Sequence, residues 1–149
     1  DYTHTPSSFD AVLKPLRDRA GKHRLVCVFG SAGERDTQKR PEQGAIAARY
    51  CDVLILTDED PRGEQPMAIL EDIAQGVQGK TRGTDLFLIP DRRAAIAQGL
   101  SMAGDGDIVV LLGKGHENSI IYNGTSIAWN EIEEAQAALN ALGYRKERA

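Results

Sequence analysis

Residues 25–41 read LVCVFGSAGERDTQKRP. The apolar, β-branched run at 25–29 stops at Gly30, crosses a loop rich in glycine and charge, and enters a helix with Pro41 in its first turn. A buried strand, a turn on small residues and a proline-started helix make half of a βαβ unit, the building block of a parallel sheet. The loop carries Glu34, Arg35, Asp36, Lys39 and Arg40, more charge than a connection needs. Taken alone, such a run reads as a solvated loop.

The alternation continues on both sides. Residues 41–50 form a short Ala-rich helix in which Ala45, Ile46 and Arg49 are expected to pack on the sheet. Residues 52–57 (DVLILT) are nearly unbroken in apolar side chains, as in a strand covered on both faces. After DEDPRGEQP, Pro66 opens a helix with Ile69, Leu70, Ile73 and Ala74 as its buried stripe. Residues 86–89 read as a short strand, and Asp91 caps a helix that turns Ala95, Ile96, Leu100 and Ala103 inward. Residues 108–112 are the most hydrophobic strand and run straight into GKGHE. Segments 120–122 and 125–128 flank Asn123-Gly124, a strong hairpin signal. A last helix holds Ile132, Ala135, Leu139 and Leu142 on one side, and YRKERA is expected to fray.

Upstream, Ser7 or Ser8 is expected to cap a first helix with Phe9, Val12, Leu13 and Leu16 on one face. Pro15 is expected to kink that helix or end it early, since an internal proline costs up to ~3 kcal/mol. The pattern predicts an α/β fold: a doubly wound, mainly parallel sheet with a C-terminal antiparallel hairpin.

With 149 residues the chain reads as one domain able to bury a real core. A net charge of −4 argues against a general nucleic-acid binder, and no apolar run reaches membrane-spanning length. Cys27 and Cys51 form neither a CxxC pair nor metal spacing, so they read as reduced core residues of a cytoplasmic protein. The chain opens abruptly on DYTHTP, as if cut from something longer.

In a parallel sheet ligands bind beyond the carboxyl ends of the strands. Three loops leave such ends here, GSAGERD (30–36), DEDPR (58–62) and GKGHE (113–117), and they bring Arg35, Arg62, Lys114, His116 and Glu117 to one rim. That set complements a zwitterion: arginine forks take a carboxylate and Glu117 takes an ammonium. Each signal alone is weak. Gly30 and Gly33 do not make GxGxxG, and no GxxxxGK[ST] phosphate cradle occurs. Gly113-Lys114-Gly115 also suits a permissive turn, and His4 and His116 also suit structural histidines.

Together the segments are specific. DYTHTP (1–6), VFGSAGERDTQKRP (28–41), TDEDPRGEQP (57–66) and GKGHE resemble, in order and spacing, the C-terminal domain of the MurE-type Mur ligases. The resemblance covers residues 1–149 and implies a Rossmann-like domain that delivers an amino acid. The UDP-sugar domain and the central ATPase domain of the family lie outside this sequence. In that family ATP and Mg2+ activate the D-Glu carboxylate of UDP-MurNAc-L-Ala-D-Glu, and the amine of a diamino acid attacks the acyl phosphate, a step of peptidoglycan synthesis. No nucleic acid or membrane partner is implied; the partners are small-molecule substrates and the enzyme's own upstream domains.

By the same resemblance Arg35, Asp60, Pro61, Arg62, Gly113 and Glu117 contact the incoming amino acid, with Lys114 and His116 in support. Asp1 and His4 match a segment that touches the nucleotide when the domains close. This sequence departs from the pattern of meso-diaminopimelate-adding members at Glu59 and Asp60, where those usually carry Asp and Asn. Glu34 stands in place of the common Asp. Arg62 favours an acceptor with a distal carboxylate, whereas an acid at 60 favours lysine or ornithine. Meso-diaminopimelate stays narrowly ahead. The competing readings are a non-catalytic amino-acid-binding relative and a receiver-like signalling module built on Asp58, Asp60 and Lys114.

Overall fold

The computed structural model describes residues 4–144; Asp1 and residues 145–149 of the expected frayed tail lie outside them. In chain order the elements are α1 (Pro6–Ala20), β1 (Leu25–Phe29), α2 (Lys39–Tyr50), β2 (Val53–Leu56), α3 (Pro66–Ala74), β3 (Leu86–Leu88), α4 (Arg92–Met102), β4 (Ile108–Leu111), β5 (Ser119–Tyr122), β6 (Thr125–Ala128) and α5 (Glu131–Ala141). Strands β1 to β4 make a parallel sheet in the order β3-β2-β1-β4.

The two central strands explain the doubly wound packing. Successive side chains of a strand point to opposite faces, so a strand buried on both sides is apolar throughout. Leu25, Cys27, Phe29, Leu54 and Leu56 enter one core with Phe9 and Leu13 of α1, Ala47 of α2 and Ile69, Leu70 and Ile73 of α3. Val26, Val28, Val53 and Ile55 enter the other with Ala95 and Ile96 of α4 and Trp129. Strand β4, the most hydrophobic in sequence, is an edge strand here and only half-buried.

Four expectations change. Pro15 does not end α1, because it lies on the exposed face with Ala11, where the carbonyl it orphans meets solvent. Thr5, not Ser7 or Ser8, caps the helix: its hydroxyl accepts from the Ser8 amide at 3.1 Å, with Pro6 at the first helical position. In α2 the buried residues are Arg40, Gln43, Gly44 and Ala47, while Ala45 and Arg49 are exposed. The helix is rotated because the Arg40 guanidinium is drawn inward to Glu64 and Asp72. Ile132 of α5 and Leu142, just past its end, are 61% and 44% exposed. The buried Glu131 sets that helix's rotation by reaching the Arg92 guanidinium.

The hairpin β5–β6 forms its own two-stranded sheet. It docks on the loop after β2: the Arg62 amide donates to the Ile121 carbonyl at 3.0 Å and the Asn123 amide to the Arg62 carbonyl at 2.7 Å.

Candidate functional site

The carboxyl ends of β2, β1 and β4 are neighbours, so the loops that follow them share one rim. The first two loops interlock. The Gly33 amide donates to the Asp60 carbonyl at 2.7 Å, and a Cβ on Gly33 would fall 1.8 Å from the Pro61 carbonyl oxygen. Glycine is therefore required there by close backbone approach. Glu34 (φ 58°) and Arg62 (φ 55°) both adopt left-handed backbone, uncommon for residues with side chains. Their neighbours hold them: the Glu34 carboxylate accepts from the Gly63 amide at 2.9 Å, and the Glu34 amide donates to Glu64 at 2.6 Å. Glu64 in turn receives the buried Arg40 fork at 2.6 and 3.1 Å, which keeps its carboxyl below the usual range.

Between these loops and GKGHE opens a cavity of about 310 Å³. Its lining includes His4, Arg35, Lys39, Glu59, Asp60, Arg62 and Glu117. Arg35, Arg62 and Glu117 thus converge on one pocket from three separate loops. The charges in it are not equivalent. Arg35, Lys39 and Arg62 make no side-chain ion pair among the described residues, whereas the facing acids are engaged. Lys114, fully buried, places Nζ 2.9 Å from Asp60 Oδ1 and 3.0 Å from Glu117 Oε2. Asp60 Oδ1 also accepts the Ile121 amide at 2.9 Å. Glu59 Oε1 lies 2.9 Å from His4 Nδ1, and His4 Nε2 is 4.0 Å from Glu117 Oε1. The bond to Glu59 raises the His4 pKa above its usual value.

GKGHE supplies its residues through a tight turn. Gly113 has φ 106°, and a Cβ there would meet the Glu59 carboxylate at 2.7 Å, so glycine makes room for that buried acid. The Glu117 amide donates to the Lys114 carbonyl at 2.8 Å, a closure that turns Lys114 and Glu117 inward together. His116 leaves this turn in the other direction. It lines depressions on the α5 side and does not join the pocket that the sequence placed it in. Pro61 is buried as the contact surface for Gly33.

The acids after β2 are the largest surprise. Asp58, Glu59 and Asp60 are only 4%, 2% and 7% exposed, although three successive acids follow the strand. Asp58 accepts from the Tyr122 hydroxyl at 2.7 Å, and burial pushes its carboxyl up to about 6. Arg92 and Glu131, which the sequence did not single out, brace this end of the sheet. The buried Arg92 guanidinium bonds Glu131 at 2.9 and 2.6 Å, the Asp58 carbonyl at 2.9 Å and the Leu112 carbonyl at 3.1 Å. It thereby ties the ends of β2 and β4 to α4 and α5. Trp129 donates its indole N–H to the same Glu131 at 3.0 Å. Among the described residues no group of three His, Cys, Asp or Glu side chains could hold a metal ion, and no helix is long and apolar enough to cross a membrane.

Known proteins with this arrangement are recognisable. Residues 1–115 match the family "Mur ligase, glutamate ligase domain". The chain is 58% identical over 143 residues to a UDP-N-acetylmuramyl-tripeptide synthetase of Treponema pallidum, covering 95% of this chain and 26% of that protein. It is 46% identical over 118 residues to the UDP-N-acetylmuramoyl-L-alanyl-D-glutamate–2,6-diaminopimelate ligase of Syntrophomonas wolfei, covering 79% of this chain and 24% of that one. A solved structure of a ligase of that second kind superposes with a TM-score of 0.87 at 38% identity, over 97% of this chain and 29% of the other. The chain thus spans about a quarter of the length of these relatives. Sequence match and parallel-sheet architecture agree, and the chain belongs to the Mur ligase family as its C-terminal, glutamate ligase domain.

Proposed function

We propose that this chain is the amino-acid-delivering domain of an ATP-dependent ligase that adds a diamino acid to UDP-MurNAc-L-Ala-D-Glu, with meso-diaminopimelate as the acceptor. The observation that carries the reading is the asymmetry of the pocket: Arg35, Lys39 and Arg62, which make no side-chain ion pair among the described residues, face carboxylates that are already held in place. The guanidinium of Arg62, with Arg35 lining the same pocket, takes the acceptor's distal carboxylate. Glu117 keeps Oε1 for the ammonium next to it. Asp60, Pro61 and Gly113 shape the wall. Asp60 speaks less for lysine or ornithine than its charge suggests, because Lys114 sits on it. Holding the acceptor's reactive amine beside an activated acyl carbon removes an entropic barrier of up to ~7–11 kcal/mol, and that is the catalytic contribution of this domain.

ATP and Mg2+ are assigned mainly to the upstream domains of the full-length enzyme, which activate the D-Glu carboxylate that the amine attacks. His4, together with Asp1, reaches the nucleotide when the domains close; His4 is 44% exposed at the pocket rim and close to the start of the chain. A receiver-like role fits the same residues poorly, since Tyr122 covers Asp58 and Lys114 covers Asp60.

The test is acceptor turnover by the full-length enzyme with meso-diaminopimelate, lysine and ornithine, alongside Arg62→Ala. Turnover with diaminopimelate that collapses in the variant supports the proposal. Turnover with diaminopimelate untouched by Arg62→Ala refutes the acceptor assignment, and no turnover with any acceptor supports an amino-acid-binding relative instead.

A further inference from the structure

Lysine is the side chain least at home in a protein interior, and Lys114 is fully buried. Its ammonium lies between two acids of the pocket, Asp60 and Glu117, at 2.9 and 3.0 Å. The arrangement is overdetermined. The turn 114–117 is closed by the Glu117 amide, and Asp60 Oδ1 is fixed a second time by the Ile121 amide of the hairpin. Lys114 therefore touches no ligand-facing surface, but it decides what charge that surface presents. With Lys114 in place, two acids and one cation leave one negative charge, carried by Glu117, whose side chain is 34% exposed. Without it, Asp60 becomes an unbalanced anion beside Glu117, in a pocket that also holds Arg35, Lys39, Arg62, Asp36 and the Glu59–His4 pair.

We propose that Lys114 is a specificity-determining positioning residue: it cancels Asp60 and aims Glu117, so that the pocket accepts a diamino acid with a second carboxylate in preference to one ending in an ammonium alone. The inference rests on the acceptor-pocket reading above and assigns the discrimination within it to the Asp60–Lys114 pair. Asp60 and Lys114 then act as one neutral unit, and a neutral pair in their place restores the charge balance on which the preference depends, although Glu117 loses its bond to Lys114. An unpaired Asp60 repels a distal carboxylate and attracts a distal ammonium, and one unit charge at a few ångströms changes relative affinity by ~10-fold or more.

The experiment compares full-length wild type, Lys114→Met, Asp60→Asn and the Asp60→Asn/Lys114→Met double variant. Each is assayed for kcat and KM with meso-diaminopimelate and with lysine, using the inhibition constant for whichever acceptor is not turned over. Lys114→Met is expected to shift the diaminopimelate-to-lysine preference at least ~10-fold toward lysine, chiefly in KM. The double variant is expected to return the preference to within about threefold of wild type, and it remains informative if Lys114→Met folds poorly because it buries no unpaired charge. A purely structural role would lower both acceptors equally and would not be rescued by the double variant; that result overturns the proposal. The wild-type preference separately tests the acceptor reading. A wild type that prefers lysine refutes diaminopimelate as substrate, while the direction of the Lys114→Met shift still judges the role of Lys114.

Discussion

Replacing Gly33 by alanine puts a methyl carbon where the backbone of the neighbouring loop already lies. The added Cβ would stand 1.8 Å from the Pro61 carbonyl oxygen, and the Gly33 backbone is not left-handed, so the effect is steric alone. To reach a tolerable contact the two loops must part by about 1 Å or more. The Gly33–Asp60 backbone hydrogen bond, at 2.7 Å, does not survive that opening. A lost hydrogen bond of ~0.5–1.5 kcal/mol and overpacking of ~1–3 kcal/mol give a destabilisation of about 2–4 kcal/mol. The functional effect is larger in proportion, because Arg35 and Arg62 ride on the two loops being separated. A displacement of ~1 Å at a positioning site costs on the order of 100-fold in turnover. Urea unfolding of this chain can be followed through Trp129, its one tryptophan and a buried one. Gly104→Ala is the control, since its Cβ meets only Asp107 Oδ2 at 3.8 Å; its expected change is neutral to ~1 kcal/mol stabilising. A Gly33→Ala enzyme with an unchanged unfolding midpoint and turnover within threefold of wild type would refute the interlocked-loop argument.

Other substitutions probe the surroundings of the site. Arg92→Met should lower stability by ~3–5 kcal/mol in urea unfolding, because Glu131 is left as a buried unpaired charge and the Asp58 and Leu112 carbonyls lose their donor; a loss under ~1 kcal/mol would contradict that role. Asp58 gives a pH dependence with a definite sign. Its folded pKa, about 6, lies above the ordinary 3.8, so the folded state holds the proton more tightly and this group's contribution to stability falls as pH rises from about 4 to 6. Asp58→Asn should flatten the pH profile in that window and gain up to ~3 kcal/mol relative to wild type at pH 7.5. An unchanged slope between pH 4 and 6 would exclude Asp58 as its source. Arg40→Met should destabilise the chain and weaken the protection of amide Glu34 from hydrogen exchange, since Glu64 is held by Arg40 and in turn receives that amide; unaltered exchange at Glu34 would break this chain of reasoning.

The parts of the fold that depend on local pattern were readable in the sequence. β1 and β2 are apolar throughout because both faces are covered, and Pro66, Asp91 and Asn123-Gly124 punctuate the chain where the structure has a helix start, a cap and a turn. The rim was readable too, because parallel strands must deliver the loops after β1, β2 and β4 to the same edge. What stayed hidden depends on partners distant in sequence. Nothing local marks Asp58, Glu59 and Asp60 as buried; Tyr122, His4 and Lys114 come from distant parts of the chain to donate to them or balance them. Arg92 and Glu131 are 39 positions apart and carry no motif, so nothing local marks either as buried. The same long-range ties rotate α2 and α5 away from the faces their apolar residues suggest: Arg40 and Glu131 outweigh Ala45 and Ile132. A buried charge with a distant partner is invisible to periodicity.

The central claim is that guanidinium groups from two loops and a carboxylate from a third grip the distal carboxylate and the adjacent ammonium of one small zwitterion. A crystal structure of the full-length enzyme with ADP and meso-diaminopimelate tests it most directly. The account predicts the distal carboxylate within hydrogen-bond distance of Arg62, the adjacent ammonium on Glu117, and Lys114 still buried between Asp60 and Glu117. Diaminopimelate bound away from Arg35, Arg62 and Glu117, or Lys114 swung out to meet the ligand, would contradict it.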